Sequence, residues 1–175
     1  RGAASLPRLF AAGELDAITI NFPTPQPKAK YAKKRLVHVD HLMLYRPLFA
    51  AGATVTLRTD SKPLRDYALG QFAAAGYDTL WVSDDVRRDH PEHPETEYEC
   101  RTREMGAVVY GICVTSGEEP TEEQLAAGRA QEQSLACYLP DDLDELTYVP
   151  LGMEEAVENF KNRARKGKKR LPQES

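Results

Sequence analysis

The sequence lacks long hydrophobic runs and has few cysteines. No apolar stretch in its 175 residues approaches the length needed to cross a bilayer, because a membrane-spanning helix needs roughly 20 apolar residues. The three cysteines, Cys100, Cys113 and Cys137, are odd in number and widely spaced. They argue against a disulfide framework and favour reduced thiols. We therefore expect a cytoplasmic protein that does not span a membrane.

The composition is that of an ordinary globular domain, with 41% hydrophobic and 29% charged residues. The net charge of −4 argues against a nucleic-acid partner only superficially, because the charges are segregated along the chain. Residues 118–145 hold nine acids and one base, whereas residues 28–35 and 161–170 are basic. A basic face is therefore compatible with the acidic total.

Short apolar runs alternate with helical patterns up to Gly117. We predict strands over residues 17–21, 53–58, 79–83 and 107–115, and helices over 5–12, 39–50, 64–75 and 95–105. This alternation predicts an α/β fold with a mostly parallel sheet. Ligands of such sheets bind beyond the carboxyl ends of the strands. The loop after residue 21 and the pair Thr59–Asp60 should therefore share one rim, although Asp60 also competes with Ser61 as a helix cap.

The character of the chain changes after Gly117. We predict helices over 121–134 and 153–165, an acidic turn over 141–145 and a disordered basic tail over 167–175. We therefore divide the chain into an α/β core, residues 1–117, and an acidic helical extension with a basic tail, residues 118–175.

The stretch from Asp16 to Val37 joins a strand, a proline loop and a cationic arm. The prolines Pro23, Pro25 and Pro27 cannot donate to a sheet ladder, so they end the strand in a stiff loop. Five cations without an acid follow, at Lys28, Lys30, Lys33, Lys34 and Arg35. A rigid loop that leads into such an arm favours phosphate contact over a merely solvated charged segment. Tyr31 in the arm either stacks on a base or packs against the protein.

A strand that ends in N-F-P-x-P-x-P-K, followed by a basic run and R-L-V, resembles the bacterial tRNA (guanine-N7-)-methyltransferases. Two further blocks agree in order and spacing, namely Thr59–Asp60 and the run Thr96-Glu97-Tyr98-Glu99. The resemblance implies a Rossmann-like class I methyltransferase fold. It also implies S-adenosylmethionine as methyl donor and a guanine of the tRNA variable loop as acceptor.

The resemblance implies roles for single residues. Thr24 is expected at the methyl-transfer centre, with Asn21 and Thr24 beside the cofactor. The expected substrate contacts are Lys28, Asp60, Thr96, Glu97, Tyr98 and Glu99. The expected RNA contacts are Lys30, Tyr31, Lys33, Lys34 and Arg35.

Two departures from the family pattern bear on activity, because Thr24 replaces an aspartate and Gln26 replaces a tryptophan. Guanine N7 has an in-plane lone pair and no proton to lose. Methyl transfer therefore needs alignment and stabilisation of positive charge rather than an obligatory base. Threonine accepts a hydrogen bond but brings no negative charge. The sequence leaves slowed transfer and lost transfer both open.

The sequence contains no glycine-rich turn of the kind that binds a nucleotide cofactor after a strand. We expect the cofactor-binding front strands upstream of residue 1, which would leave an exposed sheet edge. The leading function is a tRNA (guanine-N7-)-methyltransferase. The alternatives are a weak or inactive paralogue that binds RNA or scaffolds a partner, and a Rossmann-like methyltransferase with another substrate. A monomer and a homodimer both remain open.

Two histidine pairs, His38 with His41 and His90 with His93, have the spacing of metal ligands. Neither pair has a cysteine or carboxylate partner at a convincing distance in the sequence. We therefore predict no metal site.

Overall fold

A four-stranded sheet forms the centre of the computed structural model, which describes residues 3–143 and 146–168. Its strands are β1 (Leu15–Asn21), β2 (Phe49–Thr59), β3 (Tyr77–Ser83) and β4 (Tyr110–Ser116), in the order β1-β2-β4-β3. β1 pairs in parallel with β2, and β4 pairs antiparallel with both β2 and β3. Three strands therefore run in one direction, which confirms the predicted α/β fold. The last strand is inserted in reverse between two of them.

The described residues form six α-helices. They are α1 (Val39–Tyr45), α2 (Lys62–Ala74), α3 (Val86–Asp89), α4 (Glu97–Glu104), α5 (Glu122–Ala130) and α6 (Glu154–Lys168). Short 3-10 helices span Ala3–Arg8, Ala29–Lys34, Arg46–Leu48 and Leu135–Tyr138. None of the described helices combines the length and apolar character that a membrane crossing needs.

Local chemistry explains where the elements begin and end. The Ser61 hydroxyl accepts a hydrogen bond from the Leu64 backbone N–H and caps α2. Gly76 ends the same helix at a φ of 71°, a conformation that costs glycine little. At the start of α5, Thr121 and Gln124 form a reciprocal capping box.

Several predicted boundaries were wrong. The helix predicted over 39–50 ends at Tyr45, because Pro47 has no N–H to continue it and Phe49 begins β2. The helix predicted over 5–12 is a 3-10 turn containing Pro7. Residues 84–94, between the predicted strand over 79–83 and the predicted helix over 95–105, contain α3, which the Asp85 carboxylate caps. Residues 144–145 of the predicted acidic turn and 169–175 of the predicted tail lie outside the described residues.

The hydrophobic core lies between the sheet and the helices α1 and α2. It contains Val55 and Leu57 of β2 together with Leu42 and Phe72 of the helices. The extension after Gly117 packs on the same core through buried residues, namely Leu125, Leu135 and Met153. The predicted domain boundary at Gly117 stays a prediction. The extension after it lies beside the edge of the sheet where β1 and β2 end.

Candidate functional site

The proline loop begins at the carboxyl end of β1 and carries two unusual backbone conformations. Phe22 and Gln26 have φ values of 46° and 53°, in the left-handed region that non-glycine residues rarely adopt. The Phe22 backbone N–H donates to the Arg58 carbonyl oxygen at 2.8 Å. Such conformations persist only where the surroundings over-determine them, so the contacts around this loop fix its shape.

Arg35 holds the proline loop from inside the protein. Its guanidinium donates to the carbonyl oxygens of Pro25, Gln26 and Gln133, at 3.1, 2.7 and 2.7 Å. It also lies over the Tyr67 ring, 4.4 Å from the centroid. Burial lowers the pKa of Arg35, although an arginine stays charged. Since the side chain is only 1% exposed, the expected phosphate contact does not fit its position.

The other cations of the arm lie on the protein surface. Lys30, Lys33 and Lys34 are exposed and make no ion pair within the described part of the chain. Two of them lie over Tyr31, with Lys30 Nζ at 5.0 Å and Lys34 Nζ at 4.6 Å from the ring centroid. Lys28 instead pairs with Glu155 of α6 at 2.8 Å, a hydrogen bond that raises the pKa of Lys28. Three lysines and a half-buried tyrosine thus face solvent beside the loop.

Asp60, at the carboxyl end of β2, is the carboxylate of the rim. Its Oδ2 accepts hydrogen bonds from the hydroxyls of Tyr98 and Tyr148, at 3.0 and 2.8 Å. The Tyr98 ring in turn lies 5.0 Å from the Phe22 ring. Because Ser61 caps α2, the Asp60 carboxylate is not used as a helix cap. The structure therefore brings together the proline loop, Asp60 and Tyr98.

The four side chains from Thr96 to Glu99 lie in different environments. The Thr96 hydroxyl accepts from the Glu99 N–H and caps α4. Glu97 is exposed beside Arg101, one turn along the helix. Tyr98 points to the rim, whereas the Glu99 side chain is fully buried. In this arrangement Tyr98 alone of the four reaches Asp60.

Glu99 lies between two arginines that the sequence interpretation missed. Arg87 Nε is 2.6 Å from Glu99 Oε1, and Arg58 lies 3.6 Å from Oε2. Arg58 also donates to Asn21 Oδ1 at 2.9 Å and to the Pro94 carbonyl at 2.7 Å. The expected contact between Glu99 and substrate does not fit this burial. Instead Glu99 fixes Arg58, which joins the ends of β1 and β2.

The extension after Gly117 closes one side of the rim. Gly152 lies beside the proline loop, where a Cβ would make an ordinary van der Waals contact of 3.6 Å with Pro25. Tyr148 and Asp60 line a cavity of about 100 Å³. This volume is smaller than the roughly 300 Å³ at the lower end of small-molecule sites. Desolvation and the hydrogen bond to Asp60 raise the pKa of Tyr148. No sequence pattern marked Tyr148, because its partner is 88 positions away.

Asn21 and Thr24 lie exposed beside this rim. Asn21 Oδ1 is occupied by Arg58, which leaves the amide NH2 of Asn21 as a donor. The Thr24 hydroxyl makes no hydrogen bond within the described residues. These two polar groups fit contact with one end of a cofactor, whereas the described residues offer no glycine-rich turn for its nucleotide part.

The sheet order, the reversed last strand and the polar rim define a Rossmann-like fold of the methyltransferase type. The model of a family described as "putative methyltransferase" matches residues 2–112, and the chain belongs to this family. Methyltransferases of this kind take the methyl group from S-adenosylmethionine.

Curated relatives are bacterial. A tRNA (guanine-N(7)-)-methyltransferase of Streptococcus equi subsp. zooepidemicus (strain MGCS10565) is 33% identical over 113 residues, covering 64% of this chain and 54% of the relative. Proteins of the same name from Brevibacillus brevis and Lactococcus lactis subsp. cremoris (strain MG1363) are each 32% identical over 112 residues. They are covered over 52% of their own length, with 63% and 62% of this chain. The resemblance is confirmed, and the chain spans about half the length of these relatives.

Proposed function

We propose that the protein is a cytoplasmic tRNA (guanine-N7-)-methyltransferase that transfers a methyl group from S-adenosylmethionine to a variable-loop guanine. The observation that carries this proposal is the convergence of three sequence blocks at one rim. Phe22 of the proline loop contacts Tyr98, and Tyr98 donates to Asp60. The names of the curated relatives supply the reaction and the substrate.

The rim suits a guanine base. Asp60 Oδ2 is held by two tyrosines, while Oδ1 makes no hydrogen bond within the described residues. That oxygen would accept the hydrogens of the guanine Watson–Crick edge, and the Tyr98 ring would stack or pack against the base. Glu99 would act indirectly, by fixing Arg58 beneath Asn21. Thr96 would position Tyr98 as the helix cap, and the exposed Glu97 would contact neighbouring nucleotides.

The donor supplies an electrophilic methyl group, and the protein supplies alignment. The amide of Asn21 and the hydroxyl of Thr24 would contact the donor near its reactive end. N7 loses no proton, so holding the base in line with the methyl group is the main task. The contacts that hold Phe22 and Gln26 at positive φ would also hold Thr24, which lies between them, in place.

The cationic arm would bind the tRNA backbone. Lys30, Lys33 and Lys34 would contact phosphates without reading sequence, and Tyr31 would present its ring to a base or sugar. Lys28 would join them after releasing Glu155. Arg35 would support the loop from inside.

A second candidate function is an RNA-binding paralogue with little or no methyl transfer. Thr24 favours it, because threonine brings no negative charge to stabilise the developing positive charge on the base.

Methylation of tRNA separates these functions. The polypeptide from the complete natural reading frame is incubated with labelled S-adenosylmethionine and bulk tRNA, and digested RNA is analysed for 7-methylguanosine. Label in 7-methylguanosine supports the proposal. Intact tRNA binding without label supports the paralogue, and label on a small molecule or protein refutes both.

Two variants test the residues. Thr24→Asp should raise the methylation rate. Thr24→Asn should not, because asparagine has the shape of aspartate without its charge. Neutralising Lys30, Lys33 and Lys34 together should weaken tRNA binding and reduce the slope of log K against log salt by about 2 to 3. The matched control neutralises three exposed arginines elsewhere, Arg8, Arg88 and Arg101. An equal loss in both triple variants would show that the arm has no special role.

A further inference from the structure

The structure brings together three metal-ligating side chains that lie outside the rim. His90, Glu92 and His93 lie between α3 and α4, and one ligand atom from each lies within 4.8 Å of the others. We infer that this cluster, the His-Glu-His turn, binds a divalent transition-metal ion of the zinc class. This inference does not depend on the proposed methyl transfer.

The distances are close to those of a bound ion. Glu92 Oε1 lies 3.3 Å from His90 Nδ1 and 3.9 Å from His93 Nε2. Ligands at about 2.0–2.2 Å from a tetrahedral zinc ion lie about 3.4 Å from each other. Small rotations of these three side chains would therefore bring their ligand atoms to the distances that zinc coordination needs. Two imidazoles and one carboxylate leave the fourth position open to water.

The turn is held in place by contacts that need no ion. The His90 ring stacks on Trp81, with centroids 4.0 Å apart and an interplanar angle of 27°. The His90 backbone N–H donates to the Val86 carbonyl at 2.8 Å, and Arg87 donates to the His93 carbonyl at 2.8 Å. Ligands that are ordered in advance lose less entropy on binding, so this support favours metal binding.

The surrounding charge also favours a cation. Residues 84–95 carry five acids and two arginines. Both arginines have acidic partners, since Arg87 pairs with the buried Glu99 and Arg88 pairs with Asp89. The sequence analysis predicted no metal site, because neither histidine pair had a carboxylate at a convincing spacing. It missed Glu92 as a ligand, because the turn around Pro91 decides whether the carboxylate reaches both rings.

A simple titration tests the inference. Trp81 is the single tryptophan of the chain, and its stacking on His90 makes its fluorescence a direct reporter. The untagged 175-residue protein is titrated with ZnCl2 and NiCl2, by fluorescence and by calorimetry. We expect one ion per chain at micromolar concentration, weaker binding of Mn2+ and no binding of Mg2+.

Variants assign the ligands. Glu92→Gln and His93→Ala should each weaken zinc and nickel binding about tenfold or more, with an unchanged circular dichroism spectrum. His41→Ala, which removes a histidine elsewhere, is the matched control and should bind as the parent does. Because Cys100 and Cys137 are exposed thiols, the titration is repeated after both are changed to serine.

Three results would overturn the inference. They are binding only at millimolar ion, binding that Glu92→Gln and His93→Ala leave unchanged, and binding that the two serine substitutions abolish. The first would mean that Glu92 and the histidines form only a surface ion-pair cluster.

Discussion

Replacing Glu99 with glutamine should lower the free energy of unfolding by about 3 kcal/mol, because breaking one partner of a buried ion pair costs about 3–5 kcal/mol. The carboxylate is fully buried, and its ionic partners are Arg87 at 2.6 Å and Arg58 at 3.6 Å. Glutamine keeps the shape but leaves two guanidinium groups without their counter-charge. The lower end of the range applies, since Arg58 keeps its contacts with Asn21 and Pro94.

Urea unfolding followed by circular dichroism measures this loss. A small domain has a denaturant slope of about 2 kcal/mol per molar urea, so the midpoint should fall by about 1.5 M. The conversion requires a two-state transition with an unchanged slope. This requirement is checked by comparing circular dichroism with fluorescence.

Glu97→Gln is the matched control, because Glu97 lies on the same helix and is 87% exposed. A surface substitution of this kind should change stability by less than about 0.5 kcal/mol. If Glu99→Gln left the midpoint unchanged and weakened only tRNA binding, Glu99 would be a substrate contact. The assignment of Glu99 to the arginines would then be refuted.

Three further changes test the packing and charge at other places. Gly76→Ala should cost about 2 kcal/mol or more, because φ is 71° and the new Cβ would meet the Glu118 carbonyl; thermal unfolding measures it. Lys28→Gln should raise the pKa of Glu155 in an NMR titration, because the hydrogen bond from Lys28 holds it below its ordinary value. Tyr148→Phe should lower the free energy of unfolding, measured in urea, by about 1.5 kcal/mol, since it removes a hydrogen bond to a carboxylate.

The first two changes each have an outcome that would contradict the reasoning. Gly52→Ala, also at positive φ but with open space around it, should cost less than Gly76→Ala, and an equal cost would refute the packing argument. Folding lowers the pKa of Glu155. The ion pair with Lys28 therefore stabilises the folded state at pH values above the pKa of Glu155 in the unfolded chain. This stabilisation is lost as the pH falls through the pKa of Glu155 in the folded protein. An unchanged Glu155 pKa after Lys28→Gln would refute the ion pair.

Local patterns sufficed for the strands but not for their arrangement. The β-branched run before Phe22 and the apolar run of β4 correctly predicted strands, because such residues are typical of buried strands. Nothing in the run of β4 showed that it would enter the sheet between β2 and β3 in reverse. Strand alternation specifies neighbours along the chain, whereas the order across the sheet depends on long-range packing.

The meeting of the proline loop and Asp60 was predicted from the sequence, because the carboxyl ends of parallel strands lie at one edge of a sheet. Tyr98 lies on α4 and was expected beside them only from the family resemblance. Arg58, Arg87 and Tyr148 were missed, because their roles arise from partners that are distant in the sequence. For Arg58, a lone charge at the end of an apolar strand was the sequence signal that could have indicated a buried ion pair.

The position of Arg35 has a consequence for how this surface is mapped. In a series that neutralises one cation of residues 28–35 at a time, Arg35→Gln would produce the largest defect in RNA binding. The defect would arise from the collapse of the bend at Pro25 and Gln26, because the buried guanidinium would make no contact with a nucleotide. Sensitivity to mutation would thus identify the residue that supports the loop, while the lysines that we propose to contact phosphate would each show only a modest loss.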